Sequence, residues 1–180
     1  MSFIDAPRGP AWKKSLMAGA VIAAVCVLSL AVMSAVAAPA SAGDLTRSTD
    51  VAATPSTVWS VIGPFCAIKD WHPAVGTCTE DGKVPPTRTL VTKDGKVTFV
   101  EMQVARNDAE RTYSYNFVSS PFPVTQYVGT ISVAAKGKGM SIVTWHGVYT
   151  PLPGKETEAN VAFASIYEPG LAALKAKFAK

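Results

Sequence analysis

Histidine and cysteine are scarce, with two of the first and three of the second among 180 residues. His72 and His146 lie far apart and no CxxC pair occurs, so neither a metal site nor a dithiol redox centre is expected. Charge is thin as well, at 17% of residues against 48% hydrophobic. No block of like charge interrupts the chain, which excludes a nucleic-acid-binding arm, and the apolar content excludes a disordered chain. Also missing are an internal repeat, an interdomain linker, and a strand–turn–helix elbow that would present a nucleophilic Ser or Cys. Gly137-Lys138-Gly139 precedes a strand-like run, not a helix, so it reads as a turn rather than a phosphate loop. No motif calls for a cofactor.

The one long hydrophobic run is N-terminal. Arg8, Lys13 and Lys14 precede an uncharged stretch from Leu16 through Ala42 that closes on Ala40-Ser41-Ala42, a small-x-small peptidase signature. Residues 1–42 therefore read as a signal peptide cleaved after Ala42, leaving a periplasmic or secreted mature chain. The alternative is an uncleaved membrane anchor, since the stretch exceeds the roughly 20 residues that span a bilayer. Cleavage would remove three bases (Arg8, Lys13, Lys14) and Asp5, taking the net charge from +4 to +2. Cys26 falls inside the run as a small hydrophobe. Cys66 and Cys78, 12 positions apart, stay with the mature chain. An oxidising compartment favours a bridge between them, and two separate buried thiols are the alternative.

From Leu45 the chain reads as one mixed domain, residues 43–180. Leu45 to Ala53 is strand-like. Thr54 then caps a short helix with Pro55 in its first turn and a stripe of Val58, Trp59 and Ile62. A second short helix spans Phe65 to Asp70. Six further strands follow, at Val75–Glu80, Thr87–Thr92, Val97–Ala105, Thr112–Val118, Val124–Ala135 and Met140–Tyr149, with Asp81-Gly82 and Asp94-Gly95 as hairpin signals. Val161, Phe163, Ile166, Tyr167, Leu171, Leu174 and Phe178 recur at helical steps and predict one long helix over Glu156–Phe178. Pro169-Gly170 should kink it. The class is α+β: a curved seven-stranded antiparallel sheet that must bury one face, with a single long helix as its cover.

A curved sheet closed by one helix encloses space, the usual form of a small-molecule site. Alternation gives candidate linings: Phe99, Glu101 and Gln103 on one strand, Tyr113, Tyr115 and Phe117 on the next. Tyr127, Gly129 and Ile131 form a third row, and Val143 with Trp145 a fourth. Phe163, Ile166, Tyr167 and Leu171 would look back from the helix.

Several local signatures recur in a consistent order. Thr54-Pro55-Ser56-Thr57-Val58-Trp59, Phe65-Cys66, Asp70-Trp71-His72-Pro73, Arg88, Asp94-Gly95 and Glu101 come first. Tyr113-x-Tyr115, Pro121-x-Pro123 followed by Tyr127, Thr144-Trp145 and Tyr167-Glu168-Pro169-Gly170-Leu171 complete the series. Together, over Thr46 to Phe178, they resemble the helix-grip superfamily of START domains, birch-pollen-type allergens and polyketide cyclases or dehydrases. The resemblance implies a sheet gripping the C-terminal helix around a ligand cavity. It implies no particular reaction, because members bind, catalyse or act through partners. The export signal and Asp70-Trp71-His72-Pro73 further resemble the periplasmic accessory proteins of methanol oxidation, which implies a dehydrogenase as partner.

The candidate ligand-binding residues are Trp71, His72, Arg88, Phe99, Glu101, Tyr113, Tyr115, Tyr127, Trp145, Phe163 and Tyr167. Glu101 has two readings: a ligand anchor or base, or the buried partner of Arg88, which pairing would favour because an unpaired buried carboxylate is costly. His72 reads as a rim or capping residue rather than a general base. His146 points to the face opposite Trp145, hence to solvent if Trp145 is inward. Phe122, between two prolines, either lids the cavity or packs under its own loop. The leading expectation is an exported, non-catalytic binder of a small apolar or aromatic ligand. A cyclase- or dehydratase-like enzyme using Glu101 and Arg88, and an accessory protein presenting Trp71, His72 and Phe122 to a dehydrogenase, are the other two.

Overall fold

The computed structural model describes residues 41–179. The proposed signal segment therefore lies almost wholly outside the described residues. Strand β1 (Gly43–Val51) leads into helix α1 (Pro55–Ile62), a single 3-10 turn at Phe65–Ala67 and a short helix α2 (Ile68–Trp71). Thr54 caps α1 as its position suggests, its hydroxyl oxygen accepting from the Thr57 N–H at 3.3 Å. The expected second helix is thus two pieces, a 3-10 turn followed by one α turn.

Six strands follow: β2 (Val75–Glu80), β3 (Thr87–Thr92), β4 (Thr98–Asn107), β5 (Thr112–Ser119), β6 (Val124–Ala135) and β7 (Ser141–Pro151). Helix α3 (Glu156–Lys177) closes the domain. All seven strands form one antiparallel sheet in the order β1-β7-β6-β5-β4-β3-β2. Each hairpin pairs neighbours in sequence; only β1 joins a distant strand, β7. Gly95 sits at φ +72° in the β3–β4 turn, a conformation that glycine adopts without a steric cost.

The inner face of the sheet packs on α3. Along β7 the burial alternates strictly, so Val143, Trp145 and Tyr149 point inward and His146 outward. Helix α3 returns Ala159, Phe163, Tyr167, Gly170, Leu171 and Leu174, a stripe at three- and four-residue steps. It runs unbroken through Pro169. What Pro169-Gly170 marks is a contact: a Cβ on Gly170 would lie 2.6 Å from the His72 ring.

Cys66 and Cys78 form a disulfide with Cα atoms 5.4 Å apart, tying the 3-10 turn to β2. In the chain-entropy picture a loop of this length contributes about 3 kcal/mol. Replacing both residues by serine is expected to lower Tm by on the order of 10 °C, read by thermal denaturation. An unchanged Tm would show that the bridge restrains nothing.

Candidate functional site

Two facing glycines shape the interior. Gly129 on β6 and Gly147 on β7 are direct cross-strand partners, both toward the helix. A Cβ at Gly129 would lie 2.3 Å from the Tyr127 hydroxyl, and one at Gly147 would lie 2.3 Å from the Tyr167 hydroxyl. The bare backbone leaves a niche that those hydroxyls occupy. There the Trp145 indole N–H donates to the Tyr115 oxygen at 2.9 Å. Tyr115 and Tyr127 hydroxyls lie 3.1 Å apart, and those of Tyr127 and Tyr167 lie 2.6 Å apart. The indole N–H can only donate, whereas in each tyrosine pair either hydroxyl can be the donor. Burial pushes all three phenols above their ordinary range, so they act as neutral hydrogen-bonding groups.

Arg88 and Glu101 are register partners on β3 and β4. The guanidinium meets one carboxylate oxygen, Oε2, through both Nε and Nη2 at 2.7 Å. Nη1 donates to the Phe65 carbonyl, and the guanidinium carbon lies 4.1 Å from the centroid of the Phe65 ring. Burial pushes the Glu101 carboxyl up, while the adjacent Arg88 charge and hydrogen bond pull it down. Burial works against the charge of Arg88, and the Glu101 carboxylate together with Tyr113 and Tyr115 more than offsets it, holding Arg88 above its ordinary value. The pairing reading of Glu101 is the one realised. Its other oxygen, Oε1, is not used by Arg88, and Glu101 contributes to the cavity wall.

His72 is 2% exposed and uses both ring nitrogens. Its Nδ1 accepts from the Ala74 N–H at 3.2 Å, which assigns the proton to Nε2, and Nε2 donates to the Ile166 carbonyl at 2.9 Å. Burial, helped by the charge of Lys93, lowers its pKa below 6.5 against the opposing pull of the Ile166 bond. It is a neutral strut between the end of α2 and α3, not a base with a free lone pair. Among the described residues no three His, Cys, Asp or Glu side chains lie close enough to hold a metal ion.

Between these groups lies a cavity of about 50 Å³. Of the expected residues, His72, Phe99, Glu101, Tyr115, Tyr127, Trp145, Phe163 and Tyr167 line it. Three do not. Trp71 is buried behind Trp145, edge-on at 5.8 Å between centroids. Arg88 sits beyond Glu101 against Phe65, so its guanidinium faces the protein interior and not the cavity. Tyr113 has the right face of β5 but stands too far along it, packed on Trp59 and Phe65. Phe117 and Ile166, expected among the linings, and Phe122, expected as a lid or as packing under its loop, also line the space, as does Leu90, which the sequence reading missed. Leu90 could have been found from its position two residues beyond Arg88, on the same face of β3. Phe122 is half-buried, edge-on to Phe99 and Phe163 at 5.3 and 5.1 Å, so it both packs beneath its loop and closes one side of the cavity. His146 is outward and 3.1 Å from Asp44.

The family described as polyketide cyclase / dehydrase and lipid transport matches residues 42–179. The structure of the protein XoxI from Bacillus cereus is similar at 35% identity, covering 76% of this chain and 95% of its own, with a TM-score of 0.71. An uncharacterised protein from Bacillus thuringiensis is similar at 34% identity over 76% of this chain and 98% of its own, also with a TM-score of 0.71. A Streptomyces aromatase/cyclase shares the fold at 15% identity, with 76% and 93% coverage and a TM-score of 0.61. No curated protein matches the chain.

Two outcomes follow from this geometry. Gly147→Ala drives a methyl group into the Tyr167 hydroxyl and is expected to cost about 1–3 kcal/mol in urea unfolding. Adding Tyr167→Phe should restore much of that loss, and a neutral Gly147→Ala would show the niche to be slack. The second concerns pH. Because the folded pKa of His72 lies below the unfolded 6.5, the unfolded chain binds more protons between the two values, so stability falls as pH drops through that window. His72→Gln should lack that part of the acid-side slope in Tm measured against pH, and parallel slopes would refute the neutral-strut role.

Proposed function

The chain belongs to the polyketide cyclase / dehydrase and lipid transport family, and on that premise we propose that it is an exported, non-catalytic binder of a small, flat, apolar or aromatic molecule. The observation that carries this reading is the cavity between the sheet and α3, with its aromatic wall and one clamped carboxylate. At about 50 Å³ it is smaller than the roughly 150 Å³ that admits a benzene ring, so a single ring enters only as the aromatic lining gives way, and it lies far below the roughly 300–1,000 Å³ of sites for larger ligands. Burying about 150 Å² of ring surface contributes roughly 4 kcal/mol, and Glu101 Oε1 can accept from a hydroxyl on that ring.

Binding rather than turnover is supported by how the polar groups are used. Arg88 clamps Glu101, both nitrogens of His72 are bonded, and the tyrosines stay neutral. None is poised to take and return a proton. The accessory-protein reading wanted an exposed patch at Trp71, His72 and Phe122, but Trp71 is 6% and His72 2% exposed.

The test is mass spectrometry of the protein from its native host, first native and then denatured, followed by calorimetric titration with phenol and toluene. A released small aromatic mass and tighter binding of phenol than toluene are expected. The paired variant Arg88→Met with Glu101→Met, which leaves no buried charge unpaired, should erase the preference for phenol. No released mass and no saturable binding of either ring would overturn the proposal.

A further inference from the structure

Resting on the cavity reading above, we propose that the ligand carries an uncharged, hydrogen-bonding tail that leaves the cavity through the sheet itself, between β5 and β6. The pairing of these two strands stops short. Its last register partners are Asn116 and Val128, although β5 continues to Ser119 and β6 begins at Val124. Irregularities flank the gap on both sides. The β4–β5 ladder shifts at Val100/Glu101, and the β6–β7 ladder shifts at Val124/Gln126. Each strand stays with its outer neighbour while the two draw apart, as bulges beside binding sites commonly allow.

The opening is a polar slit of about 250 Å³. Its walls include Ser119 and Ser120 from the β5 side and Thr125 and Gln126 from the β6 side. Hydroxyls, a carboxamide and backbone edges without a pairing strand all offer hydrogen bonds there. No Lys, Arg, Asp or Glu lines it, so nothing favours a charged tail over a hydroxylated or amide-bearing one.

The slit and the cavity share two residues, Phe117 and Tyr127. Their rings stack at 4.2 Å between centroids, 25° from parallel, so the partition between the two spaces is one pair of rings. A ring held against Phe163 inside and a tail bonded in the slit outside would be joined where that pair parts. The inner space selects by apolar contact and the outer by neutral hydrogen bonding, which together describe an aromatic head with a polar, uncharged extension.

The test is calorimetric titration of the full chain with phenol and with phenyl β-D-glucopyranoside, whose ring is the same and whose sugar is a neutral hydroxylated tail. The glucoside is expected to bind at least tenfold more tightly. Thr125→Trp and Ser119→Trp, exposed positions on opposite walls of the slit, should each abolish that gain and leave phenol binding unchanged. Saturable phenol binding with no gain for the glucoside, or a gain that survives both variants, overturns the tail and leaves the cavity reading intact. Binding of neither compound overturns the cavity reading and the tail with it.

Discussion

The approach of α3 to the sheet is set by the missing side chains of Gly129 and Gly147. They face each other on β6 and β7, and any Cβ at either would collide with a tyrosine hydroxyl. With that space open, Tyr115 from β5, Tyr127 from β6 and Tyr167 from α3 converge on one hydrogen-bonded chain, started by the indole of Trp145. The stacking of Trp145 on Tyr167, with centroids 4.5 Å apart, and of Tyr127 on Phe163, at 4.7 Å, follows from the same closeness. So does the modest size of the cavity, because aromatic rings occupy the space that a sheet-and-helix grip would otherwise leave empty.

At the other end of the cavity a buried ion pair takes over the organising role. Arg88 is entirely buried, and its charge is balanced by Glu101, by the Phe65 carbonyl and by the faces of Phe65 and Tyr115. A pair of this kind adds little net stability over an apolar replacement, yet removing one partner is expensive. Its value here is positional. It fixes β3, β4 and the 3-10 turn relative to one another, and it leaves a single carboxylate oxygen to give the cavity wall a polar direction.

Family membership carries the architecture, and the proposal of binding rests on the chemistry of the site. A fold shared with an aromatase/cyclase at 15% identity carries the architecture alone. The proposal of binding rather than proton transfer rests on the bonds already made by Glu101, His72 and the tyrosines. In the free protein His72 and the tyrosines are committed to holding the frame, and Glu101 is held by Arg88 through Oε2.

Local pattern determined much of this protein before any folding. Alternation along the strands assigned Phe99, Glu101, Tyr115, Tyr127 and Trp145 to the inner face, and the helical stripe assigned Phe163 and Tyr167, because side-chain direction follows from backbone period. The order of strands, short helices and final helix, the inward Trp145 with outward His146, and the Arg88–Glu101 pairing were legible on the same grounds. Period says which face a residue takes but not how far along the strand the helix reaches. That is why Tyr113 belongs to the core beside the cavity rather than to its wall; Trp71 on α2 packs behind Trp145, and Phe122 turns inward from its loop, through contacts that no strand or helix period encodes. Only the tertiary structure could bring Gly129 opposite Gly147, or part β5 from β6 beyond Asn116. Both depend on register and on bulges in neighbouring strands, which are set by contacts between residues distant in the chain.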